Sequence, residues 1–123
     1  MTNPNPGQKN VFDFEKLIAF QKSLTLLQLL SWLLSNPPRK TASVIDHLDR
    51  ALSSVLLNMA EGYGKEAGSK DRKRFYRTAL GSAKEAGACL IILEARGFLT
   101  RALQDKARGL LWEVVAMLSV MAR

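Results

Sequence analysis

Apolar residues recur with a helical period along most of the chain, and nowhere do they alternate in twos. Four stretches stand out. The first runs from Asp13, read as its N-cap, to about Ser35. Asn36-Pro37-Pro38 closes it, because proline lacks an amide donor and biases its predecessor away from the helix. The second starts at Thr41 or Ser43 and carries Ile45, Leu48, Leu52, Val55 and Met59 in register. Gly62 and Gly64 are expected to end it by taking positive φ. The third is capped by Ser69, has Asp71 in its first turn and runs on to Gly97. The fourth begins at Thr100, with Leu103, Ala107, Leu110, Val114, Met117 and Met121 in period. Short connections make successive helices antiparallel neighbours, so the expected fold is all-α, an up-down-up-down four-helix bundle. Residues 1–12, with Pro4, Pro6 and Gly7, read as a flexible N-terminal arm and residues 13–123 as the bundle.

Two features exceed a plain bundle. In helix 1, Leu17, Phe20, Leu24, Leu27 and Leu34 mark one stripe, while Leu26, Leu29, Leu30, Trp32 and Leu33 extend well outside it. A bundle helix needs one apolar stripe, so the surplus points to self-association. In helix 3, Ala79, Gly81, Ser82, Ala83, Ala86, Gly87 and Ala88 lower the local bulk and suggest close approach by a neighbouring helix. Leu17 to Ser35 is apolar enough to raise a membrane question. Gln21, Lys22, Ser23, Thr25 and Gln28 interrupt it, so no spanning helix is expected.

The 123 residues are enough for one domain with a real core, and 47% hydrophobic residues argue against disorder. A single cysteine, Cys89, excludes an internal disulfide framework and fits a reducing cytoplasm. The polar N-terminus has no signal-peptide core. The formal charge of +7 favours nucleic acid or an acidic surface as partner. Much of that charge sits between Lys65 and Lys84, where seven Lys/Arg face only Glu66 and Asp71. Lys70, Lys73, Arg74 and Arg77 share one broad helix face, which can follow a phosphate backbone, and Tyr76 or Tyr63 could stack on an unpaired base. The plainer alternative is a solvated face.

Asn58 and Glu61 share a face of helix 2, and Ser82 and Glu85 repeat that spacing in helix 3. Glu61 lies in a last helical turn, where the macrodipole disfavours an anion, so an arginine, Arg72 or Arg50, or the free amides of a nearby helix start are expected beside it. The preferred reading is a structural polar network of Asn58, Glu61, Ser82, Glu85 and Arg72. No nucleophile is set beside a base, so no catalytic residue and no enzyme are expected. A di-metal bundle site needs two Glu-x-x-His motifs, whereas His47 is the only histidine. It reads as a solvated surface residue, and no metal or cofactor is expected. Gly62-Tyr63-Gly64 follows a helix rather than a strand and lacks phosphate-loop spacing.

The run Asn58-x-Ala60-Glu61-Gly62-Tyr63-Gly64, the basic segment after it, and Ala79-x-Gly81-Ser82-x-x-Glu85 closely resemble the four-helix-bundle proteins encoded in 23S rRNA intervening sequences. Phe14-Glu15-Lys16-Leu17 with Phe20 resembles that family's opening, and the likeness covers roughly residues 12–121. It implies a bundle that assembles into a ring, typically a pentamer. Accessory proteins of diversity-generating retroelements are similar in fold, and there a basic surface serves nucleic acid and reverse-transcriptase binding. The chain departs from the family at Ala51-Leu52-Ser53-Ser54-Val55-Leu56-Leu57, where a Ser-Ile-Pro-like run is usual, and its basic segment is denser. The expected function is a non-catalytic oligomeric protein that binds RNA or DNA through the basic face. The alternative is an interaction scaffold for an acidic protein partner.

Overall fold

The computed structural model describes residues 10–123. Most of the expected arm therefore lies outside the described residues, and only Asn10 to Phe12 of it is seen, leading into a 3₁₀ turn, Asp13–Lys16. Four helices follow: α1 (Ile18–Ser35), α2 (Ala42–Tyr63), α3 (Lys70–Ala95) and α4 (Arg101–Met121). There is no strand among the described residues.

The first helix starts later than its sequence suggests. Asp13 is not its cap; Leu17 is extended and separates the turn from α1. Local bonds explain the break. The Phe12 amide donates to the Glu15 carboxylate at 2.7 Å, and the Gln21 side chain donates to the Glu15 carbonyl at 2.8 Å. Phe14 stacks on Phe12 and meets the edge of Phe20, which folds the turn against α1. The starts of α3 and α4 follow the expected chemistry. Ser69 accepts from the Arg72 amide and Thr100 from the Leu103 amide, so each caps its helix. Thr41 occupies the cap position of α2, but its buried hydroxyl donates back to the Pro38 carbonyl. Gly97 ends α3 at φ +75°.

Each helix packs on its sequence neighbour, α4 closes back on α1, and the Cα atoms of the diagonal pairs stay more than 8 Å apart. Antiparallel order is visible in the side chains. Gly62 meets Tyr76, Ser54 bonds Ser82 and His47 faces Glu85, so α3 ascends as α2 descends. Gly87 meets Leu111 and Glu94 meets Arg108 between α3 and α4, and Lys22 pairs with Glu113 between α1 and α4. The molecule is a four-helix bundle.

Ile45, Leu48, Leu52, Val55 and Met59 are all buried, as their period requires. Helix 1 turns differently. Its core stripe is Ala19, Ser23, Leu26, Leu30 and Leu33; Leu24 is exposed, and Leu17, Phe20, Leu27 and Leu34 are half-buried. Ser23 is tolerated in the core because its hydroxyl donates to the Ala19 carbonyl at 2.7 Å. Leu33 thus belongs to the core and not to a spare outer stripe. Among the small residues of α3, Ala79, Ala83 and Ala86 are fully buried, whereas Gly81 and Ala88 face outward.

Candidate nucleic-acid interface

The turn joining α2 to α3 is held by one arginine. Arg72 donates to the Tyr63 carbonyl at 2.6 Å and to the Lys65 carbonyl at 3.0 Å, and its guanidinium lies 4.9 Å from the Tyr63 ring. It fills the role foreseen for a cation at the end of α2, but through carbonyls rather than through Glu61. Glu61 is exposed and its partner is Lys65, one turn on, at 3.6 Å. Arg50 pairs with Asp46 instead.

Gly62 and Gly64 do not take positive φ; only Gly68 in this turn does, at +76°. Gly62 serves a different end. A Cβ there would lie 2.9 Å from Tyr76 Cε1 and 3.0 Å from Phe75 Cβ. The bare glycine lets the Tyr76 ring pack against the end of α2, and Tyr76 is buried. Burial raises its phenol pKa, which nearby Arg72 partly offsets.

The five expected network residues divide. Asn58 donates to the Ser54 carbonyl at 2.8 Å and to the Ser54 hydroxyl at 3.1 Å, and Ser54 and Ser82 share a hydrogen bond of 2.7 Å across α2 and α3. Glu61 and Arg72 stand apart from this group. Glu85 is exposed on its edge, with His47 Nδ1 at 3.7 Å. Sequence reading missed Ser54, although it lies one turn before Asn58 on the same face.

The basic face is largely as its spacing implies. Lys70, Arg74, Arg77 and Lys84 are exposed and Lys73 is half-buried, on the side of α3 opposite the buried Ala79, Ala83 and Ala86. Arg74 is partly committed: it pairs with Asp71 at 2.8 Å and its guanidinium lies 4.6 Å from the Phe75 ring. Lys70, Lys73, Arg77 and Lys84 have no ion pair among the described residues. Tyr76 is not placed to stack on a base as its sequence position suggests: its ring is buried in the core. Tyr63 is half-buried beneath Arg72.

Exposed apolar side chains include Ile18, Leu24 and Trp32 on α1, Ile91 and Ile92 on α3, and Trp112 and Val120 on α4. A groove of about 480 Å³ between α3 and α4 is floored by Ala83, Gly87, Leu90 and Leu111, with Lys84 and Arg108 among its lining residues. Glu94 accepts from Arg108 Nε at 2.9 Å and, by that bond, raises the guanidinium pKa. Trp112 and Ile91 line the same groove and are 76% and 52% exposed. A second apolar groove, about 340 Å³, joins Ile18 and Ala19 to Met117 and Val120. Trp32 also stays exposed, at 75%. No helix among the described residues is long and apolar enough to cross a membrane, and no group of His, Cys, Asp and Glu there is arranged to hold a metal ion.

The family model for the 23S rRNA-intervening sequence protein matches residues 15–120 of the chain. A search of curated proteins finds no match. The chain belongs to the 23S rRNA-intervening sequence protein family.

Proposed function

We propose, taking membership of the 23S rRNA-intervening sequence protein family as the premise, that the chain is a non-catalytic, self-associating bundle that binds RNA or DNA through the outer face of α3. The observation that carries this reading is the row Lys70, Lys73, Arg77 and Lys84: four cations on one helix face, none neutralised by a carboxylate of the described residues. A solvated face usually intersperses both signs. A row of one sign is suited to successive phosphates, each contact releasing counterions. Arg74 adds a fifth cation at the cost of its exposed pair with Asp71, which contributes little in water. Binding is directed mainly at backbone phosphate.

Self-association rests on a separate observation, the apolar groove between α3 and α4 with Trp112 and Ile91 beside it. Contiguous exposed apolar surface of this kind marks an interface. A head-to-tail contact that closes gives a ring, a pentamer where the family resemblance is followed, and repeats the basic face in several copies. The same groove favours the second reading, a scaffold for an acidic protein partner, since Lys84 lines it as well. The cytoplasm is the proposed location, because Cys89 is a free, buried thiol.

Fluorescence anisotropy with labelled single- and double-stranded oligonucleotides at 50 mM salt tests the first reading. Binding is expected to both forms; no binding at that salt concentration turns the proposal to the scaffold.

A further inference from the structure

We propose that the cleft between α2 and α3 receives one unpaired base, and that Glu85 there accepts from the N1–H and N2–H edge of a guanine. The inference rests on the nucleic-acid reading above and adds a base preference to it. The cleft is about 310 Å³ and is lined by His47, Arg50, Ala51, Ser54, Ser82 and Glu85. Its floor is fixed, because the Ser54 and Ser82 hydroxyls bond each other at 2.7 Å and Asn58 donates to Ser54. The Glu85 carboxylate is left over. It is 54% exposed, and among the described residues its one ion-pair candidate is His47 Nδ1 at 3.7 Å, beyond a hydrogen bond.

A free carboxylate beside the most basic segment of the chain repels phosphate. What it recognises in nucleic acid is the N–H donors of a base edge. Guanine places two such donors side by side, the ring N1–H and the N2 amino group, and both point outward only when the base is unpaired. A carboxylate accepts the two together; adenine, cytosine and uracil offer no such adjacent pair.

Gly81 supplies the route. It lies four residues after Arg77 and three before Lys84, and shares a face with Glu85 one turn on. A Cβ at Gly81 would meet nothing within 4 Å, so no packing inside the bundle calls for glycine. In mid-helix a glycine costs about 1 kcal/mol relative to alanine. Its bare backbone leaves a gap in the cationic row, where a ribose can step from the outer face of α3 toward the cleft. Arg50 lines the cleft from α2, held by Asp46 at 3.0 Å, and offers the next phosphate a cation.

The test uses the full chain and single-stranded RNA 12-mers of A and C carrying one central guanosine, inosine, adenosine, cytidine or uridine. Inosine lacks the N2 amino group. Guanosine should bind about tenfold tighter than the others, as expected of one bidentate base contact. Glu85→Gln should abolish that preference and leave the A/C-only 12-mer unchanged, and Gly81→Gln should do the same by closing the gap. Equal binding of all probes by the wild type, with the A/C 12-mer still bound, overturns the base pocket and spares the basic-face reading. No binding of any probe overturns both. A smaller assembly mass for Glu85→Gln in light scattering makes the cleft a subunit contact and overturns the proposal.

Discussion

Gly62 and Gly81 both lie in helices, yet alanine should have opposite effects at the two. At Gly62 the new methyl would sit 2.9 Å from Tyr76 Cε1, 3.0 Å from Phe75 Cβ and 3.1 Å from Tyr76 Cδ1. Tyr76 is buried, so its ring cannot simply swing into solvent. Overpacking of this kind costs about 1–3 kcal/mol. The gain in helix propensity is below its usual value of about 1 kcal/mol, because Gly62 is one residue from the end of α2. Gly62→Ala should therefore lose about 1–2 kcal/mol net, a fall in Tm of roughly 3–10 °C for a domain this size. At Gly81 the methyl meets nothing within 4 Å, and Gly81→Ala should gain about 0.5–1 kcal/mol. The assay is urea and thermal unfolding of both variants and wild type at one protein concentration, because assembly makes Tm concentration-dependent. A Gly62→Ala protein as stable as Gly81→Ala would refute the steric account of the α2–α3 corner.

Arg72→Ala should cost about 1–3 kcal/mol by stranding the Tyr63 and Lys65 carbonyls, and Arg72→Lys should recover little, since lysine lacks the planar fork; Glu61→Ala should stay within about 0.5 kcal/mol. Urea midpoints of the three variants check this ordering. Trp112→Glu should give smaller species with the fold intact by light scattering and circular dichroism, whereas Leu33→Glu should unfold the chain, because Leu33 is in the core. Burial, and then Glu85, raise the Cys89 thiol pKa. The folded state thus holds that proton more tightly, and the resulting stability is full below about pH 8.5 and lost as pH rises through the raised value. Cys89→Ala should flatten that alkaline loss in urea midpoints measured from pH 7 to 10.

The architecture was legible because four helical periods and their stop signals are local properties. Ser69, Gly97 and Thr100 act where their chemistry puts them. The features that escaped depend on packing. In α1, leucines occur on every face, and the buried stripe of Leu26, Leu30 and Leu33 continues through Ala19 and Ser23, which carry no hydrophobic signal strong enough to mark it. At Gly62, a helix-ending glycine and a glycine cleared for a neighbouring ring look alike in sequence; only Tyr76 distinguishes them. The polar residues show the same limit. Spacing places Asn58 with Glu61 and Ser82 with Glu85, but depth across the helix decides which bond. Ser54, one turn earlier on the same half-buried face, takes Asn58 and Ser82, and Glu61 is left in solvent. The basic face was legible as charge. That Tyr76 faces inward and Arg74 leans on Asp71 was not.

The central claim is that the outer face of α3 holds nucleic acid through phosphates. The most direct test is the salt dependence of oligonucleotide binding by fluorescence anisotropy from 50 to 300 mM salt, for wild type and for Lys70, Lys73, Arg74 and Arg77 changed together to Ser. Each lost phosphate contact removes about 0.7–0.9 from the log–log slope, so the variant should bind more weakly with a slope shallower by about 3, while its assembly mass stays that of the wild type. Equal affinity and equal slope for the two proteins would contradict the account.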